Sequence, residues 1–215
     1  MYTECLEAMM QTPFAATKPK ANLILMLSAA IALASCSSAP DRSTVAAPAL
    51  KVDKPLAAGG SIEMHLDGGD YKVRASSDGH VRVTFTGNPG NATADLDTNG
   101  PHANLAIRDT PHSNFQATVE VPATAGLTIR LAGGNLDIAA ITGNKDIDSK
   151  AGNIAVAIPD SNDYASVDAS VTAGNIDGGP FGDSTSGVSP HLKWSGSGKY
   201  TLHISLGAGN LELKH

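Results

Sequence analysis

Aromatic residues make up only 4% of the 215 residues, so a core must rest on Val, Ile, Leu and Ala. The chain holds 2 cysteines, Cys5 and Cys36, both near the N-terminus. No disulfide framework or cysteine metal site can therefore staple the bulk of it. A basic excess is missing: the net charge is −6, which gives no reason to expect a phosphate-binding surface, and no nucleic-acid partner is expected. Runs of five or six like charges are absent, so the acidity is that of a solvated surface. No window of helical length carries a sustained i, i+3, i+4, i+7 apolar stripe. Long helices are excluded on that ground.

One uncharged apolar run is present, ANLILMLSAAIALAS at 21–35, behind Lys18 and Lys20. At about 15 residues it is shorter than the roughly 20 that span a bilayer as a helix. A basic flank, an apolar segment of this size and small residues at its end describe a secretory signal over 1–35. The segment closes on Leu33-Ala34-Ser35-Cys36, which resembles the bacterial lipobox. That resemblance implies cleavage before Cys36 and acylation of its thiol, giving a chain held at a membrane by N-terminal lipid. Ser37, rather than an aspartate, follows the cysteine, which points to the outer membrane of a bacterial envelope. Residues 36–58 are rich in Ala, Ser and Pro without strand or helix period, and are expected to form a flexible tether.

From Gly59 onward apolar residues alternate, as in Ile62, Met64, Leu66 and again in Leu127, Ile129, Leu131. Period two buries one face of a strand and wets the other, so 59–215 is expected to be all-β. Between the strands a Gly-Asn-aliphatic element recurs at Gly134-Asn135, Gly152-Asn153, Gly174-Asn175 and Gly209-Asn210. Gly69-Asp70, Gly79-His80 and Gly143-Asn144 are looser copies. Glycine tolerates positive φ, and Asn, Asp and His reach it more often than other residues, so these pairs are read as structural turns. Spacings of nine residues between Gly134, Gly143 and Gly152, then 22 and 35, predict a β-solenoid of short stacked strands. The alternative is a β-sandwich, whose turns recur at similar intervals. The polar stretch 86–104 is expected to be a broad loop.

With those residues in view, 117–160 resembles a bacterial adhesin-type domain of unknown function, related to head domains of auto-transporter adhesin-like proteins. Val121-Pro122, Leu127-x-Ile129, Gly134-Asn135-Leu136, Ile141-Thr142-Gly143 and Gly152-Asn153-Ile154 carry the resemblance. It implies a β-helix-like repeat fold and a surface location, and brings no catalytic residues.

Candidate chemistry is sparse. Asp95, Asp97, Asn99 and Gly100 match the first half of a calcium loop, but the twelfth position is Ala106 where a bidentate glutamate is needed. The seven histidines stand singly. Asp146 and Asp148 share one side of a strand near Lys145 and Lys150, and Trp194 is a stacking platform or an end plug. No catalytic residue, metal site or cofactor is identified. The leading expectation is a lipid-anchored, non-catalytic envelope protein with a structural or adhesive role, its partner a surface glycan or protein. A carbohydrate-binding or carbohydrate-active module is second, and would need a groove lined by Asp146, Asp148 and Trp194. A metal-binding envelope lipoprotein is third.

Overall fold

Alternation of buried and exposed residues governs residues 49–215, the portion of the chain that the computed structural model describes. The signal segment with Leu33, Ala34 and Ser35, the lipidation candidate Cys36 and the start of the tether lie outside the described residues. Strands form at β1 (Ala49–Pro55), β2 (Ser61–Leu66), β3 (Gly69–Ser76), β4 (His80–Gly87), β5 (Thr93–Asn99), β6 (His102–Arg108) and β7 (Phe115–Pro122). They continue as β8 (Gly126–Leu131), β9 (Gly134–Ile138), β10 (Lys145–Ala157), β11 (Tyr164–Asp177), β12 (Thr185–Val188), β13 (His191–Ser195) and β14 (Tyr200–Lys214). Two single 3-10 turns, Ser161–Asp163 and Gly179–Phe181, are the described helical elements. The fold is all-β.

One rule of spacing builds most of it. Along β2 and β3 the buried residues are Ile62, Met64 and Leu66, then Tyr71 and Val73. The step of five from Leu66 to Tyr71 recurs from Leu131 to Leu136, Ser149 to Ile154, Val171 to Ile176 and Leu206 to Leu211. An odd step changes the phase of a period-two pattern. Here it falls where the chain bends, so both halves of each L-shaped rung keep their apolar residues inside. In β10, β11 and β14 the strand runs through the bend unbroken.

The rungs pair parallel and in register. On the first half the order is β6, β2, β8, β10, β14, β11; on the second it is β7, β3, β9, β10, β14, β11. Antiparallel strands finish the ends: β5 on β6, β4 on β7, β1 on β4, and β12 and β13 on β11. All fourteen belong to one sheet wrapped around one core. The wrap nearly closes, because Lys54 of β1 donates to the Leu96 carbonyl of β5 and lies 3.7 Å from Asp97. Rung order departs from that of a wound solenoid. β14 is inserted between β10 and β11, and β6–β7 and β8–β9 lie on opposite sides of β2–β3. Rungs with identical bends and registers are interchangeable in sequence terms, so spacing alone does not order them.

Two further expectations are corrected. Residues 49–55, assigned to the tether, form the edge strand β1, whose weak apolar pattern (Leu50 is 58% exposed) hid it. It pairs antiparallel with β4 along its backbone, and Asp53 adds side-chain contacts, accepting from His80 at 2.6 Å and Arg82 at 3.0 Å. The expected loop 86–104 contains β5 and the start of β6, a hairpin turning at Gly100, whose φ is +60°.

The few aromatics sit at the two ends of the core. Phe115 packs edge-on against Tyr71 and Phe85 at one end, with centroids 5.9 and 5.0 Å away. At the other, Phe181 lies 5.5 Å from Tyr164 and 5.0 Å from Trp194. Aliphatic side chains fill the middle.

Candidate functional site

The Gly-Asn pairs are brought together at the bend. Gly69, Gly134, Gly152, Gly209 and Gly174 are partners across neighbouring rungs. Gly134, Gly152, Gly174 and Gly209 take φ between +114° and +146°. A Cβ on Gly152 would lie 1.7 Å from the Gly134 carbonyl oxygen, and one on Gly209 would lie 1.7 Å from that of Gly152. Side chains are thus excluded twice, by conformation and by contact. The asparagines, read as partners in positive φ, are not: the positive-φ non-glycine residues described are Asp109, Asn114 and Ser189. Glycine takes the strain of the bend, and asparagine is released for a different task.

That task is a ladder. Asn175 donates to Asn210 at 3.0 Å, Asn210 to Asn153 at 2.9 Å, Asn153 to Asn135 at 2.9 Å and Asn135 to the Asp70 carboxylate at 2.7 Å. Each amide points the same way, so the dipoles add and end on a negative charge. Gln116 and then Thr86 continue the row beyond Asp70, and Ser186 continues it beyond Asn175. Asp70 was legible only as a loose copy of the motif. Gln116, Thr86 and Ser186 carried no local signal, since pairing alone places them in the row.

The row forms one wall of an open groove on the outer face of the second halves of the rungs. A hollow of about 570 Å³ runs over β7, β3, β9, β10 and β14, and a second of about 420 Å³ over β14, β11 and β12. They adjoin at Asn210 and Glu212, which line both, and are described together as a trough. Two residues further along each strand, Lys72, Asp137, Ala155, Glu212 and Asp177 make the second row. Ala155 is the small residue at its centre. Lys214 leans across to Asp137 at 3.6 Å.

The sites suggested by Asp146, Asp148 and Trp194 do not combine. Asp146 and Asp148 face outward on β10, whereas Trp194, opposite buried Val167, faces the core and packs on Phe181. No single groove can hold residues from opposite faces of a sheet. Asp146 instead receives both terminal nitrogens of Arg130 at 3.1 Å, and this pairing holds its carboxyl below the usual range. Lys145 points inward, not toward the aspartates. Its Nζ is buried, donating to the Tyr164 hydroxyl at 2.8 Å and the Gly143 carbonyl at 3.2 Å. Burial brings its pKa down to about 8 and pushes that of Tyr164 up to about 12.

Histidines on the outer faces pair with carboxylates: His80 with Asp53, His65 with Glu63, and His191 with Asp168 at 2.7 Å. The half calcium loop is spread along a strand, with Asp95 paired to Arg108 and Asp97 to Lys54. Among the described residues no group of three or more His, Cys, Asp or Glu is placed to hold a metal ion.

Fold and trough together define an all-β protein with a long polar outer face across parallel rungs. No family model matches the chain, and no curated protein matches it. Among solved structures it is similar to a "putative cell adhesion protein" from Clostridium sporogenes, at 11% identity and a TM-score of 0.49, over 78% of this chain and 99% of that one. It is similar to a "putative adhesin" from Parabacteroides distasonis at 14% identity and a TM-score of 0.24, over 51% of this chain and 56% of the other. A "putative adhesin" from Bacteroides fragilis matches at 9% identity and a TM-score of 0.24, over 78% of this chain and 97% of that one.

Proposed function

We propose that this chain is a non-catalytic adhesive or ligand-binding protein of the bacterial envelope, held to a membrane by lipid on Cys36. The observation that carries the binding half is the trough, whose wall is an in-register row of polar side chains rather than a catalytic constellation. The lipobox-like Leu33-Ala34-Ser35-Cys36 supports the anchor. A stacked β body on a lipidated N-terminal segment suits a protein that presents a surface outward.

The test uses whole cells carrying the full chain. Cells with the native chain are expected to adhere to a glycan- or protein-coated surface, with the chain in the membrane fraction and labelled by palmitate. Cys36→Ala should release it from that fraction and abolish adherence. A Cys36→Ala chain that stays with the membrane overturns the anchor, and adherence unchanged by deleting the whole chain overturns the binding role.

A further inference from the structure

We propose that the trough binds an extended, uncharged glycan chain lying across the strands. This deepens the adhesive reading and rests on it. The first support is dimension. Eight strands, from β4 to β12, contribute in-register side chains to one wall. At roughly 4.8 Å between neighbouring strands that wall is about 34 Å long, the scale of a polymer rather than a metabolite. Its two hollows, of about 570 and 420 Å³, adjoin at Asn210 and Glu212, which line both.

Hydrogen-bonding capacity is the second support. A carboxamide offers two N–H donors and two acceptor lone pairs. Within the ladder each asparagine amide donates one N–H to its neighbour, as Asn153 does to Asn135 and Asn210 to Asn153. The second N–H and a carbonyl lone pair remain for a ligand, repeated at every rung. Hydroxyl groups both donate and accept, so a polyol meets such a row without a fixed polarity. The repeated spacing suits a ligand that is itself a repeat.

Charge narrows the class. Asp70, Asp137, Asp177 and Glu212 line the trough against Lys72 and Lys214. Four carboxylates facing two ammonium groups repel sulfated or uronic polymers, while each carboxylate can accept from a sugar hydroxyl. An extended peptide fits less well. Peptides that bind sheets add to a free edge through main-chain bonds, and β3, β9, β10, β14 and β11 are each paired on both sides. Ala155, between Asp137 and Glu212, is the smallest side chain of the second row, and the exposed Lys214–Asp137 pair beside it can give way to a ligand.

The test measures binding of the purified full chain, in detergent, to cellohexaose, chitohexaose and maltohexaose, their disaccharides, and heparin. At least one neutral hexasaccharide should bind saturably and at least tenfold tighter than its disaccharide, with heparin not binding. Ala155→Arg should weaken binding at least tenfold without lowering the thermal midpoint, and Ser205→Arg on the opposite arm should not. Asn153→Ala, which adds no bulk, should weaken it severalfold and covers the case in which Ala155→Arg fails to fold. Preference for heparin, equal affinity for di- and hexasaccharide, or binding untouched by both trough variants overturns the proposal. If no neutral glycan binds while cells still adhere through the chain, the ligand class falls and the adhesive reading stands. Release of new reducing ends would keep the trough as the site and overturn its non-catalytic character.

Discussion

Asn153 and Asn210 stand 57 positions apart in the chain, yet the amide of Asn210 donates to the carbonyl of Asn153 at 2.9 Å across two parallel strands in register. The contact is one link of a ladder ending at Asp70. A net hydrogen bond contributes about 1 kcal/mol, and links that polarise one another should not be independent. Asn153→Ala and Asn210→Ala are each expected to cost about 1 kcal/mol. The double variant should depart from additivity by at least about 0.5 kcal/mol, the size found for directly contacting residues. Urea unfolding of the native chain and the three variants gives the coupling, and strict additivity would show that the ladder is a row of separate contacts.

Glycine at the bend is required more strictly than glycine in an ordinary turn. Gly152 has φ +130° with a hypothetical Cβ 1.7 Å from the Gly134 oxygen, whereas Gly100 has φ +60° with open space around it. Gly100→Ala should cost only the conformational penalty, about 1–2 kcal/mol. Gly152→Ala must also push neighbouring strands apart, so a loss above about 4 kcal/mol or failure to fold is expected. Thermal midpoints compared side by side decide the matter, and equal losses would contradict the close stack.

Lys145 makes stability depend on pH in a defined direction. Burial lowers its pKa from 10.5 to about 8, so between these values the unfolded chain holds a proton that the folded one has released. Stability therefore rises with pH from about 8. The rise stops near 10, the ordinary tyrosine value, because Tyr164 keeps its proton to about 12 when folded and loses it earlier when unfolded. The cost of keeping Lys145 charged below pH 8 is roughly 3 kcal/mol. Lys145→Met should flatten the profile between pH 8 and 10 and raise stability at pH 7, by less than that figure because the Tyr164 hydroxyl loses its partner. Chemical denaturation at stepped pH tests the slope.

The edge strand β1 is fastened by charge more than by apolar burial. Asp53 accepts from His80 and Arg82, and Arg82 also reaches Asp78 and Glu120. His80 first and Arg82 second hold the Asp53 carboxyl below its usual range. Its contribution is present at neutral pH and is lost as pH falls through that lowered value. Asp53→Asn should raise amide exchange over 49–55 before any other strand opens, and salt should do the same to the native chain because exposed pairs are screened. Exchange read strand by strand checks this. Uniform opening would mean that β1 is no separate latch.

The step of five between inward residues, as from Leu66 to Tyr71, can be read off the chain, and it marks five of the bends, while from Ile107 to Phe115 the step is eight. Gly152 and Asn153 are recognisable as corner residues from the recurrent Gly-Asn pair. Sequence did not separate their duties. Whether asparagine takes the strain or joins a ladder depends on a neighbour 18 positions away, Asn135. In the sequence Lys145 is only a neighbour of Asp146, and a lysine at a strand start normally snorkels to water. Here the aromatic end of the core, with Tyr164 over it, leaves no such route.

What the sequence by itself determined is the class of structure and the inward direction of the alternating apolar side chains from Gly59 onward. Period two, broken by odd steps at glycine, dictates strands that bend with one face inward, because Cβ atoms alternate and only glycine fits the bend. The tertiary structure alone decided which rung lies on which. Parallel pairing joins segments far apart in the chain, and rungs with the same register satisfy one another's backbone groups equally well. That ordering placed β14 between β10 and β11, and so put Asn210 between Asn153 and Asn175. A repeated sequence motif became a continuous wall.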